Sequence, residues 1–188
     1  MDWEFEWPAQ MLFLQTTIEP FGKEHYIGSW PFAKQVITKV YGEELPLVFF
    51  YEYFLMKKKK MATRHGNVIP LSDLLKVLEP EVIRFIYTKR PRQQRNLDLS
   101  NVSHWVNEFD YAEKIFFGKA KPKNEKEKLC KNYKLSMLNS PPKEFPKRIS
   151  YEKILNAIKN EGEKFLPSNT GERLKRVKYW LEKCSGRK

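Results

Sequence analysis

The sequence predicts an α/β half followed by an all-helical half. Three observations carry this: short β-branched and aromatic runs bounded by proline before residue 91, helical periodicity alone after it, and a charge excess confined to the second part. Residues 1–90 hold 12 Lys/Arg and 11 Asp/Glu, whereas residues 91–188 hold 23 and 12. A divided balance of this kind suggests two regions with different jobs, the basic one facing a polyanion.

The first half reads as alternating elements. "LQTTIEP" (14–20) and "LPLVFFYEY" (45–53) are expected strands. Between them "WPFAKQVITKVYG" repeats apolar residues at Phe32, Val36, Ile37 and Val40 and stops at Gly42, the pattern of an amphipathic helix with a glycine stop. Strand, helix, strand within about 40 residues fits a parallel β-α-β unit. A helix is expected over "SDLLKVL" with Ser72 as its N-cap, and another over "PEVIRFIYTKR" opened by Pro80.

No strand is expected after residue 91. Val102, Trp105, Val106, Phe109, Ala112 and Phe116 fall on one helical face that ends at Gly118. "SYEKILNAIKNEG" and "ERLKRVKYWLEKC" carry the same period through Ile154, Leu155 and Ile158, then Leu174, Val177 and Leu181. "GKAKPKNEKEKL" (118–129), between the helix that ends at Gly118 and these two, reads as a charged connector. Trp105 and Trp180 read as core anchors and His104 as a surface residue. Arg173, Lys175, Arg176 and Lys178 form a strip that faces solvent or a polyanion.

Composition narrows the class. The chain has 188 residues, a net charge of +12, 41% hydrophobic and 14% aromatic residues, which argues for one or two folded domains over global disorder. Cys130 and Cys184 form no C-x-x-C pair and the three histidines lie far apart, so no metal site is expected and the thiols read as free, in a reducing cytoplasm. The acidic start "MDWEFEW" is no signal peptide. The longest apolar run, "LPLVFFYEYFLM", is 12 residues and carries Glu52, against the roughly 20 needed to span a bilayer.

The stretch "MKKKKMATRHGN" (56–67) comes after the second expected strand and precedes a helix. In open α/β sheets ligands bind at the carboxyl ends of parallel strands, where lysines and free N–H groups on a glycine-bearing loop suit nucleotide phosphates. A plain solvated charge run fits the same residues. No Gly-x-x-x-x-Gly-Lys occurs, which excludes a P-loop NTPase.

Here a resemblance enters. "KMATRHGNVI" resembles the KMSKS-type signature of class I aminoacyl-tRNA synthetases, and the surrounding segments resemble the class I lysyl-tRNA synthetases. These are "WEFEWPAQ", "EPFGKEH", "FYEYFLMKKKKM", "LEPEVIRFIYTKRPRQQRNLDL", "EFDYAEKIFFG" and "VKYWLEK", in consistent order through nearly the whole chain. The resemblance implies that residues 1–90 are the C-terminal half of a Rossmann-like catalytic domain with its signature loop, and 91–188 a basic helical region that contacts tRNA. It implies lysine activation by ATP, with Mg2+, and transfer to tRNA(Lys). Lys60 is then the signature lysine that contacts the phosphates. Met61, His65, Gly66 and Asn67 bind ATP, Glu24, His25, Tyr51 and Glu52 line the lysine pocket, and Arg92, Arg95, Arg173 and Arg176 touch tRNA.

The sequence departs from the family at Ala62, Thr63 and Arg64, which replace serines, and at His65, which replaces the common lysine. Arg64 or lysines 57–59 are the candidates to restore that cation. Glu24 stands where the family has Asp. The family's HIGH-like signature belongs to the first half of the domain; "HYIGS" (25–29) is only superficially similar to it. The expectation is therefore one piece of the enzyme, a split gene product, a fragment or a degenerate relative, active only if a second polypeptide supplies that half. The family's anticodon-binding region is likewise expected to be cut short after residue 188. A non-catalytic tRNA-binding module and a general RNA- or DNA-binding protein are the other readings.

Overall fold

Two compact units divide the computed structural model: Met1–Met61 with Pro91–Asn96, and Ala62–Arg90 with Leu97–Lys188. The structure describes residues 2–56, 58–97, 99–122, 124–161, 166 and 170–184, with the side chains of His65, Asn101 and Glu161 outside the described residues.

In the first unit, helix α1 (Trp3–Phe13) places Glu4 and Glu6 in its first turn, where carboxylates oppose the positive end of the helix dipole. It ends when Gln15 turns left-handed at φ 51° and the Thr16 N–H donates to the Met11 carbonyl. Strand β1 (Ile18–Gly22) therefore starts later than the expected 14–20, because the helix and its cap use those residues. Helix α2 (Lys23–Ile27) comes immediately after it. Helix α3 (Trp30–Gln35) widens into a π-helical turn over Val36–Val40, and strand β2 (Leu47–Tyr51) runs parallel to β1, pairing Ile18 with Leu47 and Gly22 with Tyr51. The strand–helix–strand unit with parallel pairing is thus present.

Trp7, Met11, Phe21, Trp30, Ala33 and Ile37 form the core beneath this sheet, with Val48 and Phe50 packed on it. Trp7 meets Phe21 edge-on at 5.3 Å and Trp30 at 5.9 Å, a geometry favoured by aromatic quadrupoles. Beyond β2, strands β3 (Phe54–Met56) and β4 (Lys59–Lys60) make a short antiparallel hairpin, and β5 (Arg95–Asn96) pairs parallel with β3. The absence of strands expected after residue 91 is corrected by β5. Its two residues are too few for any periodicity to register.

The second unit is helical: α4 (Leu71–Val77), α5 (Pro80–Lys89), α6 (Val102–Phe116), α7 (Lys126–Ser136), α8 (Tyr151–Asn156, continued by a π-helical turn Ala157–Glu161) and α9 (Gly171–Lys183). Pro80 does open α5. Ser72 is not a cap, since α4 starts one residue earlier behind Pro70. Val102, Trp105, Val106, Phe109 and Ala112 are buried along α6, and Gly118 at φ 68° ends that segment. Gly162, the last residue of the third periodic stretch, lies outside the described residues.

The charged connector hides α7, whose buried Tyr133 rests 5.6 Å from Phe109 and 4.9 Å from Phe116. Arg173 is the tie of this unit. Its guanidinium uses all five N–H donors on Glu79, Asp110 and the Ile149 carbonyl, at 2.6–3.3 Å. Burial alone would pull its pKa down, but the two carboxylates more than offset this and hold it above the ordinary arginine value.

Candidate functional site

Parallel pairing brings the carboxyl ends of β1 and β2 level, with Gly22 opposite Tyr51. The residues just past each strand line that rim: Lys23, Glu24 and His25 after β1, Glu52 and Tyr53 after β2. Glu24 and His25 sit in the short helix α2, directly after β1. The hydrogen bond from the Gly28 N–H back to the Glu24 carbonyl closes that short helix.

Glu52 is the unusual group here. Its side chain is only 6% exposed; Lys23 Nζ donates to Oε1 at 2.5 Å, while Oε2 is buried with no hydrogen-bond partner. A buried carboxylate oxygen left without a donor is costly, and such exceptions concentrate at functional sites. The backbone fixes the residue too, because the Glu52 N–H donates to the Pro91 carbonyl at 2.9 Å. The same carboxylate, by hydrogen bond and charge, raises the pKa of Lys23 and keeps it protonated.

Lys60 extends from β4 to the same rim. It is ion-paired with Glu24 Oε1 and lies 4.3 Å from the centre of the Tyr53 ring, a cation–π contact. The Lys60 hydrogen bond holds the Glu24 carboxyl below the usual range. His25 packs against two indoles, 6.1 Å from Trp3 and 5.8 Å from Trp7, and the Trp7 N–H is held by Glu19 at 3.0 Å. Sequence reasoning assigned no site role to Trp3, Trp7, Lys23 or Tyr53. The segment "WEFEWPAQ" was the available signal, and only folding puts its indoles on His25.

The hairpin turn of the lysine run is set by Lys58, left-handed at φ 64°, whose N–H donates to Asn96 Oδ1 at 2.8 Å. Lys57 lies outside the described residues. The Met61 N–H faces the Phe54 carbonyl. Arg92 is exposed and stacks over Phe50 at 4.9 Å, while Arg95 is half-buried on β5 opposite Phe54.

The rest of the signature belongs to the second unit. Thr63–His65 form one 3-10 turn; Gly66 comes next at φ +61°, where a side chain would strain the backbone, and its N–H donates to the Thr63 carbonyl. Asn67 Oδ1 accepts the Ala62 N–H at 2.9 Å and closes the loop on itself. Arg176 is half-buried and donates to the Leu75 carbonyl. Arg173 corrects the expected surface strip: it is 6% exposed and every donor is committed, so it offers nothing to a polyanion.

Lys23 and Lys60 meet two glutamates at the rim of a parallel pair of strands, and comparison with known proteins gives the family. The model for class I tRNA synthetases (K) matches residues 1–139, and the chain belongs to that family. Its relatives are named lysine–tRNA ligase. It is 36% identical over 151 residues to that of Natronomonas pharaonis, covering 80% of this chain and 28% of the relative. With the Pyrococcus furiosus protein it shares 35% identity over 208 residues, covering 96% and 39%, and with that of Thermococcus kodakarensis 41% over 147, covering 74% and 28%. The chain thus spans well under half the length of these relatives. No helix among the described residues is long and apolar enough to cross a membrane.

Proposed function

We propose that the chain carries the second half of the catalytic domain of a cytoplasmic class I lysine–tRNA ligase, residues 1–90, and a tRNA-contacting helical region, residues 91–188. In the first step the lysine carboxylate attacks the α-phosphate of ATP, giving lysyl-adenylate and pyrophosphate. In the second the lysyl group passes to a ribose hydroxyl at the end of tRNA(Lys). No covalent enzyme intermediate is needed, so catalysis rests on position and charge.

The observation that carries this reading is Glu52 Oε2, buried without a donor at the carboxyl end of a parallel strand. A lysine ammonium supplies that donor, with Tyr51 and His25 as walls and Glu24 beside them. Lys60 exchanges Glu24 for the phosphates of ATP, which enters as its Mg2+ complex. Met61, His65, Gly66 and Asn67 shape the loop around the nucleotide.

The two parallel strands also leave Ile18 and Leu47 exposed. An open apolar edge of this kind favours pairing with more sheet, and we take the first half of the nucleotide-binding domain to cover it. Lysine-dependent ATP–pyrophosphate exchange tests both parts. Exchange that needs the added half supports the proposal. Exchange by the 188-residue chain alone removes the need for that half, and none when the two halves are combined removes the ligase reading. Net charge concentrated in residues 91–188 favours a second reading, a tRNA-binding module without catalysis, which binds tRNA yet never exchanges pyrophosphate.

A further inference from the structure

We infer that Lys58, Lys59 and Arg92 form one ridge that grips the phosphodiester backbone of an RNA strand, a surface that rests on the tRNA reading above but is separate from the nucleotide pocket. Lys58 and Lys59 stand exposed at the tip of the β3–β4 hairpin, and neither side chain has a carboxylate partner among the described residues. The two acids of the neighbouring rim are already neutralised, Glu24 by Lys60 and Glu52 by Lys23. Holding adjacent ammonium groups on a short hairpin costs repulsion that an external polyanion removes.

The hairpin is fixed in place. The Lys58 N–H bonds Asn96, the Gln94 amide donates to the Tyr53 hydroxyl at 3.0 Å, and β5 pairs with β3. Arg92 lies over Phe50 at 4.9 Å and Phe49 at 5.7 Å, two cation–π contacts that hold an exposed guanidinium whose N–H groups suit a phosphate fork. From Arg92 to Asn96 the backbone spans at most about 14 Å. That reach suits a few consecutive phosphates of one strand.

The test is equilibrium binding of tRNA to the full 188-residue chain across a salt series. We compare the parent with K58Q/K59Q/R92Q and with a charge-matched control, K34Q/K39Q/K76Q, whose exposed lysines lie outside the proposed tRNA-contacting region. Loss of the ridge is expected to lower the slope of log K against log salt by roughly two to three. The control is expected to change it less, and circular dichroism should be unaltered in both. An unchanged slope in the ridge variant, or an equal loss in the control, overturns the ridge while leaving the ligase reading intact. Failure of the parent to bind tRNA better than duplex DNA at matched salt overturns the tRNA reading itself.

Discussion

Glu52 and Lys60 show how single residues acquire a role from their surroundings. Glu52 is an ordinary strand-end glutamate until burial leaves one of its oxygens without a donor. In the proposed ligase, with the other half of the catalytic domain present, replacing it with Gln should raise the KM for lysine in pyrophosphate exchange roughly 30-fold or more, with a smaller change in the KM for ATP, since a buried charged contact is at stake. Lys60→Ala should instead lower exchange by about a hundredfold, mainly in kcat, the scale expected when one preorganised charge at a transition state is lost. Glu113 offers a test by pH. Its carboxylate is buried between Tyr133 and Arg148, and burial outweighs both partners to raise its pKa. The folded chain therefore keeps a proton that the unfolded chain releases above about pH 4.5, and stability from this group declines as pH rises toward the folded value. Thermal melts between pH 4 and 7, set as about the useful window, should show Glu113→Gln gaining on the parent as pH increases.

Among the elements, the strong helical periodicities survive folding and the weak ones do not. The apolar face of α6 is legible because five of its six expected positions are buried against neighbouring helices. Helix α7 was hidden by its lysines and glutamates, and what buries it is Tyr133 among Phe109, Phe116 and Phe117. Phe109→Ala should cost about 3–5 kcal/mol in chemical denaturation, because the cavity opens in the middle of that cluster. Arg173 read as one of four surface cations, yet it joins Glu79, Asp110 and the 149 carbonyl in the interior. Arg173→Met should destabilise the protein by roughly 3–5 kcal/mol in the same assay, since two carboxylates are left buried without their partner.

At the scale of the whole chain, composition spoke to a polyanion partner and pattern to an α/β start, and motif order spoke to the family. The sequence by itself determined the parallel pairing of β1 with β2, the left-handed turn at Gly66, and the buried face of α6. Each comes from local periodicity or from a residue that only one backbone conformation suits. Only the tertiary structure decided that Glu24 and His25 sit on a helical turn, that Trp3 and Trp7 pack tilted against His25, that residues 95–96 return to pair with β3, and which arginines are buried. Those outcomes depend on contacts between residues distant in sequence, whose burial and charge pairing no local pattern records.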